Sequence, residues 1–144
     1  MNKTMNPEIT DFPLEADDDL VINKTREYNL QFVEKDVKPL SVYFRDSEAN
    51  IIAGLTGKTY WNWLHVEYLW VSESERKSGL GSKLVSAAET EAIKRGCTGS
   101  TLDTFSFQAL EFYQKLGYSI AGSLEGYSGK HQRYYLEKSL ENII

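Results

Sequence analysis

Between a strand-like run ending in Leu69-Trp70-Val71 and an amphipathic stretch beginning at Gly79 lies Arg76-Lys77-Ser78-Gly79-Leu80-Gly81, a turn whose composition suits anion binding. Two glycines remove the Cβ atoms that would hold an anion off the main chain. A helix opening there adds roughly half a positive charge at its mouth. Several backbone N–H groups can then converge on one ligand, and a pyrophosphate has the matching charge. The spacing is neither that of the ATP-binding loop, which ends in Gly-Lys-Ser/Thr, nor a full GxGxxG dinucleotide fingerprint. A glycine pair also serves ordinary tight turns, so the motif needs a second signal beside it.

Residues 63–71 hold the next side chains that bear on chemistry. Strict alternation places Trp63, His65, Glu67, Leu69 and Val71 on one face and Leu64, Val66, Tyr68 and Trp70 on the other. The second face is wholly apolar or aromatic. The first mixes an imidazole and a carboxylate with apolar groups, as a strand lining a cavity does, although a hydrogen-bonded histidine beside a rim carboxylate reads the same way. Tyr60, Trp61, Trp63 and Tyr127 are candidates for an aromatic acceptor pocket, in which a cation would gain about 0.5–2 kcal/mol, and hairpin packing explains the tryptophans equally well.

A first helix is expected over residues 17–32, with Val21, Thr25, Tyr28 and Phe32 on one face and Asp17-Asp18-Asp19 offsetting its dipole. Residues 7–10 are a weak strand candidate. Leu40, Val42 and Phe44 alternate as a half-buried strand, residues 46–50 form a hairpin loop, and Gly54 and Gly57 suggest a bulge or taper in the strand 51–60. A helix over 79–95 buries Leu80, Leu84, Val85, Ala88 and Ala92, points Lys83, Glu89, Glu91 and Lys94 to solvent, and ends at Gly96. Strands are expected at 98–104, 118–123 and 131–138, with a second helix bearing Ala109, Phe112, Tyr113 and Leu116 on one face and a flexible loop at 125–130.

Composition bounds the rest. A chain of 144 residues is read as one domain over 1–144, long enough for a proper core. No apolar run approaches the ~20 residues of a membrane span and the start is polar, so a cytoplasmic location without membrane contact is expected. The net charge of −5 resides in residues 1–20, where six carboxylates oppose one lysine, and no basic stripe invites nucleic acid. The single cysteine, Cys97, excludes an internal disulfide and is read as a packing residue.

Arg-x-x-Gly-x-Gly after a strand ending in Val71, followed by Ser82-Lys83-Leu84, resembles the acetyl-CoA-binding motif of the GNAT superfamily of N-acetyltransferases. Ala109-Leu110-Glu111-Phe112-Tyr113-Gln114-Lys115-Leu116-Gly117-Tyr118 resembles that family's second motif helix, A-x-x-F-Y-x-K-x-G-F/Y. The two stand in the family's order and, with the strands around them, span about residues 40–138. The resemblance implies an α/β fold with a mixed, mostly antiparallel sheet flanked by helices, in which the strands ending at Val71 and near Thr101 splay to admit acetyl-CoA. The family has two helices after its first strand; about seven residues separate Phe32 from Leu40 here, so the second is short or absent.

By the same resemblance, the main chain at Leu69, Trp70 and Val71 would hold the pantetheine arm. The turn from Arg76 through Lys77, Ser78, Gly79, Leu80, Gly81 and Ser82 would take the pyrophosphate, without a metal. Tyr113 would be the general acid near the sulfur, with a buried core tyrosine as the bland alternative. Ser106 stands where the family often has an asparagine; it can cap the helix but cannot supply an amide's paired groups. The implied reaction is direct transfer of acetyl from acetyl-CoA to a primary amine of a small molecule or peptide within a ternary complex. An alkyl ammonium near pKa ~10.4 is neutral in only about one molecule in ~10³ at pH 7, so deprotonation needs help. His65, mostly neutral at that pH, is preferred as base, with Glu67 lining the cleft or acting through a water. A non-catalytic acyl-CoA-binding module, an antibiotic- or polyamine-modifying enzyme and a homodimer all remain open on the sequence.

Overall fold

Apolar residues at every second position start the sheet: Leu40 is buried, and Val42 and Phe44 pack against the same core, along β1 (Lys38–Arg45). The computed structural model describes residues 5–141. Six strands follow the order β1-β2-β3-β4-β6-β5, with β2 (Ile51–Tyr60), β3 (Trp63–Val71), β4 (Gly99–Phe105), β5 (Ser119–Tyr127) and β6 (His131–Ser139). All neighbours run antiparallel except β3 and β4. That parallel pair is joined at only three positions, Trp63–Gly99, Leu64–Ser100 and His65–Thr101, after which no pairing joins the two strands. The expected mixed sheet with a split at this pair is present.

Asp46 fixes the β1–β2 hairpin by accepting the backbone N–H groups of Glu48 and Asn50 at 2.9 and 3.0 Å, and those bonds hold its carboxyl below the usual range. Trp61 and Asn62, both left-handed, turn the chain from β2 into β3. The helix α2 (Leu80–Lys94) buries Leu84, Val85, Ala88 and Ala92 in the core that also holds Ala53, Leu55 and Leu64. Gly96, at φ 86°, follows it as expected. Cys97 is buried, and burial raises its thiol pKa, in keeping with packing rather than reactivity.

Glu89 corrects the sequence reading. It is not on the solvent side of α2 but 8% exposed, receiving the Tyr118 hydroxyl at 2.9 Å and the Lys138 ammonium at 2.9 Å. Ser100 Oγ lies 2.8 Å from the same Tyr118 oxygen. A carboxylate enters the interior when it is both paired and hydrogen-bonded, and here Lys138 of β6 supplies the charge and Tyr118, just before β5, the hydroxyl.

A second correction concerns β3. Tyr68 pairs with Thr56 while Val66 pairs with Gly57, so Glu67 is an extra residue, a β-bulge, opposite the Thr56–Gly57 step. One added residue reverses the alternation beyond it. Leu69 and Val71 therefore join Leu64 and Val66 against the core, and Tyr68 and Trp70 lie exposed on the other side. Gly57 is the residue that permits the close approach, since a Cβ there would stand 2.3 Å from the His65 carbonyl oxygen.

The short helix α3 (Leu110–Lys115) carries the buried Tyr113 and gives way at Gly117, φ 98°. β5 runs on to Tyr127, so the loop expected at 125–130 shrinks to a turn at 128–130. Residues up to Lys35 form a separate compact unit containing α1 (Glu15–Asn29), which starts and ends earlier than expected. None of its residues is buried, and Tyr28 and Phe32 touch ring to ring at 5.5 Å. Residues 7–10 form no strand. A single helix precedes β1 among the described residues.

Candidate active site

Past β3 the chain makes a 3-10 turn at Glu73–Glu75 and enters the glycine segment. Lys77, at φ 70°, and Gly79, at φ 83°, adopt the left-handed conformation on either side of Ser78. For a lysine that conformation costs roughly 1–2 kcal/mol, so the turn is held in shape by its surroundings. Such a sequence of hands turns successive N–H groups into one concavity. No side chain caps α2, so its first-turn donors remain available to a ligand. Arg76 and Ser78 brace the loop: Arg76 Nε donates to the Val71 carbonyl at 3.2 Å, and the Ser78 hydroxyl donates to the Glu75 carbonyl.

In front of this turn lies a pocket of about 460 Å³ bordered by Leu69, Val71, Gly79, Leu80, Ser82 and Phe112. The two glycines serve it differently. Gly79 has open space around it and is demanded by its positive φ, whereas a Cβ on Gly81 would come within 3.1 Å of the Phe112 ring. An N–H-rich, uncapped helix mouth kept free of Cβ atoms fits a pyrophosphate.

β3 also borders a second, larger cleft of about 660 Å³, opened where it parts from β4. Tyr60, His65, Glu67 and Tyr68 line one wall; Asp103, Phe105, Arg133 and Tyr135 line the other. His65 stacks on Tyr60 at 4.4 Å with 4° between the ring planes. Burial first, and then the Lys58 ammonium, hold its imidazole below the usual value, while Glu67 opposes them. Glu67 is exposed at the bulge and reaches Lys58 at 3.7 Å. His65 and Glu67 are thus neighbours at one cleft, brought together by the bulge and not by a shared strand face.

The aromatic candidates separate. Tyr60 lines the cleft; Trp61 lies edge-on to it at 5.3 Å, outside the lining. Trp63 faces another groove, beside Gly99 and Lys138, so the pocket imagined around both tryptophans is not assembled. Tyr127 stands just behind the cleft wall, 5.1 Å from the Phe105 ring and hydrogen-bonded by Arg133 at 3.3 Å. Trp70 is half-exposed on the face away from the glycine turn's pocket, while its strand neighbours Leu69 and Val71 line it.

Tyr113 is 7% exposed, edge-on to Phe112 and Tyr118 at 5.0 and 6.0 Å. Burial, then the Asp103 carboxylate, push its phenol up to about 12. Ser106 does not cap α3, contrary to expectation. Its hydroxyl accepts the Gln132 N–H at 3.1 Å and its own N–H bonds the Gln132 carbonyl, because the segment after β4 stays paired to β6. The Thr104 hydroxyl instead accepts the Ala109 N–H at 3.3 Å.

Sequence reading missed the far wall. Arg133 donates through Nε to Asp103 at 2.9 Å and lies 5.6, 5.8 and 5.0 Å from the Phe105, Tyr127 and Tyr135 ring centres. Asp103 and then Tyr127 hold its guanidinium firmly charged. The available signal was an arginine beside Tyr134-Tyr135, but the β4–β6 register that brings Asp103 to it cannot be counted from sequence. Among the described residues no group of three or more His, Cys, Asp or Glu is placed to hold a metal ion, and no helix is long and apolar enough to cross a membrane.

A mixed sheet parted at its one parallel pair, with a glycine turn and helix mouth beside the parting, defines an acyl-CoA-type acyltransferase architecture. The profile of the Acetyltransferase (GNAT) family matches residues 6–118, and the chain belongs to that family. A blasticidin-S acetyltransferase from Streptomyces morookaense is 39% identical over 109 residues, covering 73% of this chain and 80% of its own length. The crystal structure of an Agrobacterium tumefaciens acetyltransferase superposes with a TM-score of 0.88 at 34% identity, over 94% of this chain and 99% of that one. An aminoglycoside 6'-N-acetyltransferase complexed with coenzyme A shares the fold at 23% identity and TM-score 0.63, over 71% of this chain and 73% of its own. The protein is an acyltransferase enzyme, and the non-catalytic binding module falls away.

Proposed function

We propose that this enzyme transfers an acetyl group from acetyl-CoA to the primary amine of a small molecule while both are bound. The observation that carries the reading is that β3 borders two pockets at once: the N–H-rich turn at Lys77–Gly81 beyond its end, and the larger cleft along its middle. The coenzyme A in the aminoglycoside acetyltransferase complex, and the acetyl-transfer names of the relatives, support acetyl-CoA as the donor. The blasticidin-S enzyme favours an antibiotic-like acceptor over a protein terminus.

In this reading, the N–H groups from Lys77 to Ser82 bind the pyrophosphate, and Leu69 and Val71 border the path of the pantetheine arm. Edge N–H and C=O groups of β3 beyond His65, unpaired toward β4, are available to hydrogen-bond that arm. His65, kept neutral by its surroundings, takes the amine's proton directly; Glu67, paired to Lys58, is the competing base. Tyr113, pushed up to about 12 by burial, is a much weaker acid than free tyrosine. Its role is therefore a hydrogen bond to the departing sulfur with the proton following as the bond breaks, not a prior proton transfer. Thiol release from acetyl-CoA with aminoglycosides, blasticidin S, polyamines, amino acids and peptides, with mass spectrometry of the products, tests the reading. A small amine gaining one acetyl group is the expected result; coenzyme A binding without transfer to any acceptor would overturn it.

A further inference from the structure

The larger cleft carries its charges in two matched pairs, one on each wall. Lys58 faces Glu67 at 3.7 Å, and Arg133 faces Asp103 at 2.9 Å. With the imidazole of His65 neutral, these four groups leave the cleft close to zero net charge. A polyamine would meet two cations already present and two carboxylates already engaged. Pairs as open as these contribute only about 0–1 kcal/mol each, so a ligand of the right polarity can share their members.

Arg133 is the member most prepared to do so. Its Nε–H is spent on Asp103 and one Nη–H on Tyr127 at 3.3 Å, so three of the guanidinium's five N–H donors have no protein partner among the described residues. Three aromatic rings within 5.8 Å confine the fork, so ordering it for a ligand costs little further entropy. Planar forks of this kind recognise carboxylates through paired hydrogen bonds. We propose, resting on the acetyl-transfer reading above, that the acceptor is a zwitterionic amine whose carboxylate docks on Arg133, with its amino group turned toward the wall that bears His65 and Glu67. Selection then falls on amino-acid-like compounds, and carboxylate-free polyamines are poor acceptors.

Calorimetry on the full chain saturated with coenzyme A tests this without turnover. Amino acids and dipeptides would be titrated beside their carboxamides, and spermidine would be run in parallel. The free acids are expected to bind roughly tenfold or more tightly than their amides, the scale of losing one charge-assisted contact. In Arg133→Gln that gap should close, and Arg133→Lys should keep part of it, since the charge stays and the fork is lost. The comparison of acid with amide in the parent protein stands even if a variant misfolds. No gap for any matched pair, spermidine binding as tightly as the best free acid, or a gap that survives Arg133→Gln would each overturn the proposal. A persisting gap without thiol release would remove the acetyl-transfer reading alone; thiol release that runs best with amines lacking a carboxylate would remove this one alone.

Discussion

Burial and the Lys58 ammonium both disfavour the charged form of the His65 imidazole, which stacks on the Tyr60 ring. Its folded pKa lies below 6.5, so if it is the base, log kcat/KM should rise with pH to a break below that value and stay level above it. Two amines of different pKa distinguish this break from the acceptor's own ionisation; His65→Gln should abolish the fixed limb, and its survival would move the role to Glu67 or solvent. The same depression has a thermodynamic face. Below about pH 6.5 the unfolded chain binds a proton that the folded site resists, so stability present above that pH is lost as pH falls through the folded pKa. The drop in Tm between pH 7 and pH 5 should be smaller in His65→Gln than in the parent; equal drops would place the dependence on other groups. Tyr113→Phe should lower turnover about 10²-fold with coenzyme A affinity preserved, because the ring still fills its buried site. Full turnover would make the tyrosine a core residue.

At the scale of elements, motifs read well and registers did not. The glycine turn, α2, the Trp61–Asn62 turn and β3 all lie where local chemistry demanded them, because left-handed residues, apolar stripes and strand alternation are written within a few neighbouring residues. The bulge at Glu67 could be suspected from Gly57, yet its effect on β3 belongs to the pairing of two strands, and alternation counted through it put Leu69 and Val71 on the wrong face. Glu89 was misread for a related reason: its partners, Tyr118 before β5 and Lys138 on β6, lie far off in sequence. Gly57→Ala drives a Cβ to 2.3 Å from a backbone oxygen, and neither strand can yield cheaply. A loss on the order of 2–4 kcal/mol is expected from urea titration, together with weakened activity, since the bulge aims Glu67. Tyr118→Phe should cost about 1–3 kcal/mol by depriving Glu89 of a donor, with the coenzyme A affinity unchanged.

On the scale of the whole sheet, the split between β3 and β4 is bridged by three residue pairs, whereas β1, β2 and β3 on one side and β4, β6 and β5 on the other are joined by longer antiparallel ladders. Such a junction behaves as a seam between two panels. In isotope exchange, amides within each panel should be protected to near the global unfolding free energy, while those of β3 past His65 that face the gap should exchange early, through small openings. A bound ligand that bonds to those amides would sew the panels together, slowing their exchange at sites well removed from the ligand's charged end. On the acetyl-transfer reading the donor would complete the sheet as a missing strand, and a seam closed in that way would set the two walls of the neighbouring cleft at a fixed separation for the acceptor.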